Sequence, residues 1–202
     1  MKNLLKHIPK FLILSRIGCA VFIFVSCISG LHRTYIIPVS IYAILSDVFD
    51  GIIARRIGVS GKELRVMDTK ADTVFWFSCL FALCTTQRVF LMQHIWQIAI
   101  LFFSELFIIA LGNIRFRERI SFHTILSKFW AVLLLWFFVD VMLDSSAAMS
   151  FGIAFWVGIL AQAEIILIAC LLRHPVTDVP SLRHVGKLNR GEAIPRSKWF
   201  NG

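Results

Sequence analysis

Asp47 and Asp50 stand three residues apart, and Asp68 and Asp72 four apart, in a chain of 202 residues of which only 16% are charged. On a helix those spacings put each pair on one face. A hairpin turning near residues 58–63 then brings the two pairs together. Two carboxylates about 5 Å apart repel by roughly 3 kcal/mol at an effective dielectric near 20, so four of them need cations. One source is the chain itself: Arg55, Arg56, Arg65 and Lys70 lie close by in sequence and can form an ion-paired rim. The other is a divalent metal. Hard ions such as Mg²⁺ choose carboxylate oxygens and complete their shell with water and substrate phosphates. Two such ions bridged by shared carboxylates clamp a diphosphate and neutralise charge on a leaving group. The neighbours suit that chemistry. Gly51 lets a ligand approach the helix backbone, Ala54 keeps the same face narrow, and the planar fork of Arg55 fits a phosphate oxygen.

The elements that carry these acids are apolar. The chain is 58% hydrophobic with a mean hydropathy of +0.78, and a soluble domain of this size carries more charge. Stretches of about 17–25 apolar residues are long enough to cross a bilayer as helices. Six are expected, over 13–30, 35–56, 66–85, 90–112, 125–143 and 151–172, and helices are the form that satisfies every backbone group in lipid. Lys2, Lys6 and Lys10 among Leu4, Leu5 and Ile8 suggest an amphipathic surface helix over residues 1–12, and continuing apolar character argues against a cleavable signal. The fold expected is therefore an all-α integral membrane protein, with a transmembrane domain over 1–172 and a basic cytoplasmic tail over 173–202.

Charge sets the orientation. Of the 21 lysines and arginines, all but Arg33 and Arg88 flank the loops on one side of this layout. The positive-inside rule puts that side, both termini and the acidic cluster in the cytoplasm, so that the chain sits in the cell (inner) membrane as a multi-pass protein. The net charge of +9 is thus spread along loops rather than gathered into a nucleic-acid face, and no nucleic-acid partner is expected. Cys19, Cys27, Cys79, Cys84 and Cys170 all fall in apolar runs without metal or disulfide spacing and read as small buried hydrophobes.

Asp47-x-x-Asp50-Gly51-x-x-Ala54-Arg55 followed by Asp68-x-x-x-Asp72 resembles the signature of the CDP-alcohol phosphotransferases (CDP-alcohol phosphatidyltransferases). Ile8-Pro9 and Arg16 resemble the opening common in that family, and the six-span layout agrees. One signature position departs: the second glycine falls at residue 64, where this chain has Leu64. The resemblance implies a membrane enzyme of phospholipid biosynthesis that moves a substituted phosphate from a CDP-alcohol, most often CDP-diacylglycerol, to an alcohol hydroxyl and releases CMP. It implies Asp47, Asp50, Asp68 and Asp72 as ligands of two Mg²⁺ or Mn²⁺ ions, with Asp72 also the general base. It further implies Gly51, Ala54, Arg55 and position 64 at the CDP donor, so Leu64 puts the shape of the cytidine pocket in question.

Outside the motif, Arg115, Arg117, His123 and Lys128 border the fifth span on the cytoplasmic side. They are either positive-inside anchors or contacts for a phosphate or hydroxyl of the acceptor. Glu105 and Glu164 lie mid-span and suggest helix-to-helix hydrogen bonds, at a homodimer contact in one reading. Two other functions use similar features. A membrane prenyltransferase also sets aspartates and Mg²⁺ on a diphosphate, but needs more spans and lacks the Gly-x-x-Ala-Arg element. A carrier or channel would place its acids at mid-membrane.

Overall fold

The structure, a computed structural model, describes residues 7–31, 33–58, 62–116, 124–143, 147–176 and 179–192. Every regular element among the described residues is helical. In chain order these are α1 (Ile8–Ile28), α2 (Ile36–Ile57), α3 (Lys62–Thr86), α4 (Arg88–Gln93), α5 (Ile95–Phe116), α6 (Ile125–Met142), α7 (Ala148–Leu171) and α8 (Val185–Asn189), with single 3₁₀ turns at Arg33–Tyr35 and Leu182–His184. Five are long and apolar enough to span a membrane: α1, Ile36–Ala54 of α2, α5, α6 and α7. Large apolar side chains such as Phe11, Val21, Phe103, Trp156 and Leu160 point outward, as they do where the solvent is lipid. The chain is a multi-pass membrane protein.

Three expectations are modified. The third expected span, 66–85, falls in α3, whose first three turns carry Lys62, Glu63, Arg65, Asp68, Lys70 and Asp72. That polar load keeps α3 outside the group that qualifies on apolarity. The surface helix drawn over 1–12 does not stand apart where it is described: Pro9 occupies the first turn of α1, which runs unbroken from Ile8. Proline fits there because the first helical N–H groups have no intrahelical partner, and nothing between Lys10 and Leu14 interrupts the helix. Residues 1–6 lie outside the described residues. Lastly, the span drawn over 90–112 is interrupted at His94, between α4 and α5.

The chain divides into two compact units, residues 1–93 with 138–146, and residues 94–137 with 147–202. In the first, α1 packs on both α2 and α3. The buried residues of α1 are Pro9, Ile13, Arg16, Ala20, Ile23 and Ser26, a stripe with the three-and-four spacing of one helix face. α2 answers with Ile36, Ser40, Ala43, Ser46, Asp50 and Ala54, and α3 with Ala71, Phe75, Ser78, Cys79 and Ala82. Small residues let helix backbones approach closely in a membrane, where packing rather than water drives association. The buried serines turn inward on their own helices: Ser40 Oγ donates to Ile36 O at 2.9 Å, Ser46 Oγ to Ala43 O at 2.7 Å and Ser78 Oγ to Phe75 O at 2.7 Å. α2 ends at Gly58, whose φ of +69° is the left-handed conformation that commonly closes a helix.

In the second unit α5 packs on α7 through the helix-to-helix hydrogen bond expected of Glu105, made by a partner the sequence reading did not single out. Buried Gln162 donates from Nε2 to Leu101 O at 3.0 Å and to Glu105 Oε2 at 3.4 Å, and its Oε1 accepts from Ser104 Oγ. Trp130 of α6 lies against Gly158 of α7 and donates from Nε1 to Ala154 O at 2.9 Å. Val179, Leu182, Val185 and Leu188, from the segment expected to form a polar tail, pack with Ile108, Ile165, Ile168 and Leu172. Glu164 Oε1 accepts from Leu182 N at 3.1 Å. Cys79 is buried, but Cys84 and Cys170 face outward, and these cysteines, like Cys19 and Cys27, are free thiols.

Candidate active site

The packing stripes position the acids. Asp50 follows Ser46 by one turn on the buried face of α2, and its side chain is 4% exposed. Asp47 lies at the edge of that face. Asp68 and Asp72 occupy successive turns of α3, with Ala71 and Phe75 holding the helix against its neighbours. The α2–α3 hairpin thus joins the two pairs, as the three- and four-residue spacings require. One carboxylate oxygen each from Asp47, Asp50 and Asp68 lie within 4.8 Å of one another. All are hard oxygen donors, and that set suits a divalent ion such as Mg²⁺ or Mn²⁺.

The cation at the centre is Arg16, 1% exposed and contributed by α1. Its Nη1 lies 3.1 Å from Asp47 Oδ1 and 2.9 Å from Asp68 Oδ1 and also pairs with Asp72, while Nη2 pairs with Asp50 Oδ2. One guanidinium therefore faces four carboxylates. The ion-paired rim expected from the sequence gives this part to Arg55, Arg56, Arg65 and Lys70. Arg56 and Lys70 are exposed, and the side chains of Arg55 and Arg65 lie outside the described residues. Arg16 was visible in the sequence as the one charge on the Ile13–Ala20–Ile23 stripe. Its sequence context points to topology and to the family's opening motif; its place on the buried face is the signal for this role.

The remaining candidates are distributed as follows. Gly51 and Ala54 stand on α2 beyond Asp50, Ala54 buried and Gly51 half-buried. Leu64 is half-buried on α3, one turn before Asp68. Arg115 and Lys128 belong to the second unit. Arg115 ends α5, donating from Nη2 to Leu172 O at 3.1 Å with its guanidinium over the Phe116 ring. Lys128 is half-buried in the first turn of α6. Arg117 and His123 lie outside the described residues.

No curated protein and no solved structure matches the chain closely enough to add a relative. A family model does: that of the CDP-alcohol phosphatidyltransferases, whose members transfer phosphatidyl groups from CDP-alcohols, matches residues 6–175. That stretch contains α1, the hairpin with its four aspartates and the helices up to α7, and by it the chain belongs to the CDP-alcohol phosphatidyltransferase family.

Proposed function

We propose that this protein transfers the substituted phosphate of a CDP-alcohol, with CDP-diacylglycerol as the natural donor, to the hydroxyl of an alcohol acceptor, releasing CMP. The observation that carries this reading is the convergence of Asp47, Asp50 and Asp68 with Asp72 one turn along the same face of α3. The first three would hold two Mg²⁺ or Mn²⁺ ions, with Asp72 reaching the second. When bound, the metal supplies positive charge at the diphosphate, stabilising the charge that develops on the departing CMP.

The chain's own residues do the rest. Gly51 and Ala54 leave space along α2 for the donor, Arg55 binds a phosphate oxygen through its fork, and Leu64 shapes the nucleotide side of the pocket. Asp72, with its side chain 32% exposed, is within reach of an acceptor arriving from the rim. It takes the proton of the acceptor hydroxyl as that oxygen forms its bond to the lipid-side phosphorus. The bond from this phosphorus to the bridging oxygen breaks, and its electron pair leaves with CMP.

In the same reading α3 also crosses the membrane, which brings the spans to six. Each charge within a span costs roughly 2.5–3.5 kcal/mol at the membrane centre, less near the rim, and the charged turns of α3 are those at its rim end. Both termini and the site then face the cytoplasm from the inner membrane, residues 1–172 form the catalytic domain, 173–202 a basic tail, and the protein works as a homodimer. The test is metal dependence. CMP release from CDP-diacylglycerol should stop in excess EDTA and return with Mg²⁺ or Mn²⁺; full turnover in chelator would overturn the metal assignment.

A further inference from the structure

Arg16 and a divalent ion would contest the same oxygens. Nη1 stands 3.1 Å from Asp47 Oδ1 and 2.9 Å from Asp68 Oδ1, and the guanidinium also reaches Asp50 and Asp72. An ion bound to those same oxygens at about 2.1 Å would lie within roughly 5 Å of Nη1, beside a buried guanidinium whose repulsion water does little to screen. The hold on Arg16 is also incomplete: its Nε is buried without a hydrogen-bond partner. The fork is held by charge-assisted hydrogen bonds from Nη1 and Nη2 to Asp68, Asp72 and Asp50, all of them to oxygens that an arriving metal would claim, and no bond at Nε anchors it elsewhere.

We propose that Arg16 is a displaceable counter-ion of the aspartate cluster, which holds the four carboxylates together until a divalent cation takes its place. Its position on α1 gives the exchange a structural consequence. α1 packs on both α2 and α3, so the guanidinium ties all three helices at the site, and metal entry transfers that tie to the ion. Arg16 is in this sense a positioning residue: it lowers metal affinity by competition while keeping the ligands gathered. The proposal rests on the reading of Asp47, Asp50 and Asp68 as metal ligands.

The test is direct metal binding, without substrate. Mn²⁺ and Mg²⁺ are titrated calorimetrically into the purified full chain in detergent, as wild type, Arg16→Gln and Arg16→Lys. Removing the competing charge should tighten metal binding in Arg16→Gln by about tenfold or more. Arg16→Lys keeps a cation and should remain within a few-fold of wild type. Equal or weaker binding in Arg16→Gln would overturn the exchange and leave the metal site standing. Absence of binding by all three proteins at millimolar metal would overturn the metal site itself. Should Arg16→Gln fail to fold, labelling of wild-type arginines with phenylglyoxal, mapped by mass spectrometry, decides the matter. Arg16 should react several-fold faster with saturating Mg²⁺ than in EDTA, and unchanged or slower labelling would refute displacement.

Discussion

Replacing Asp50 by asparagine should stabilise the metal-depleted protein, although Asp50 is one of the least exposed acids of the cluster. Removing one partner of a buried ion pair ordinarily costs about 3–5 kcal/mol, because the other charge is left uncompensated. Here Arg16 retains Asp47, Asp68 and Asp72, so that penalty does not arise. The loss of the Arg16 attraction is about 4 kcal/mol at a charge separation near 4 Å and an effective dielectric of 20. Against it stands the repulsion from Asp68, which has an oxygen within 4.8 Å and contributes about 3 kcal/mol on the same scale. Asp47, with its side chain 40% exposed, adds no more than about 1 kcal/mol after screening. The Coulomb terms nearly cancel, and the desolvation of the Asp50 charge, several kcal/mol for a buried ion, decides the sign. We expect Asp50→Asn to gain about 1–3 kcal/mol, a rise in Tm of several degrees for a chain of this length. The assay is tryptophan-fluorescence melting in detergent with EDTA, repeated in excess Mg²⁺, where the variant lacks a ligand and the order should reverse. A Tm in EDTA several degrees below that of wild type would refute the reasoning.

Three further substitutions separate packing from chemistry. A Cβ at residue 158 would meet Trp130 Nε1 at 2.6 Å and Cε2 at 2.7 Å, so Gly158→Ala should cost about 1–3 kcal/mol by overpacking. In a Trp130→Ala background the same change should be neutral or stabilising, since alanine favours the helix. Asp72→Asn keeps the shape of the side chain but cannot accept a proton; kcat for CMP release should fall by about 10²-fold or more, with the donor KM within a few-fold of wild type. Leu64→Gly removes apolar contact from the donor pocket and should raise the KM for CDP-diacylglycerol by roughly five- to thirtyfold, equivalent to about 1–2 kcal/mol; a lower KM would mean that the leucine obstructs the pocket.

Much of the site was legible in the sequence because helical periodicity is rigid. Once residues 36–57 and 62–86 are helices only a few residues apart in sequence, spacings of three and four leave Asp47, Asp50, Asp68 and Asp72 little freedom. The spans were legible for the same reason, since an apolar run of bilayer length has few alternatives to a helix. Partner choice was not. Arg55, Arg56, Arg65 and Lys70 are near the acids in sequence, but Arg16 reaches them across 31 to 56 positions because α1 packs between its neighbours' small residues. Sequence distance says nothing about that packing; burial of an arginine on an otherwise apolar stripe does. Gln162 escaped for a similar reason, as an uncharged amide that drew less notice than Glu105, although it makes the better-formed bonds between α5 and α7. The packing of Val179 and Val185 into the core of the second unit was masked by the prolines and basic residues around them, whose composition reads as a tail.

The central claim is that the aspartate cluster transfers a phosphate-linked group from a CDP-alcohol to a hydroxyl. Its most direct test is incubation of the purified protein with CDP-diacylglycerol, Mg²⁺ and a panel of alcohols, among them glycerol phosphate, inositol phosphate, serine and phosphatidylglycerol, with CMP and the lipid product followed together. We predict CMP release that requires both Mg²⁺ and one class of alcohol, in one-to-one amount with a new phosphodiester lipid, and that is lost in Asp72→Asn. A protein that binds Mg²⁺ yet releases no CMP with any alcohol, while turning over a prenyl diphosphate with release of pyrophosphate, would contradict the account.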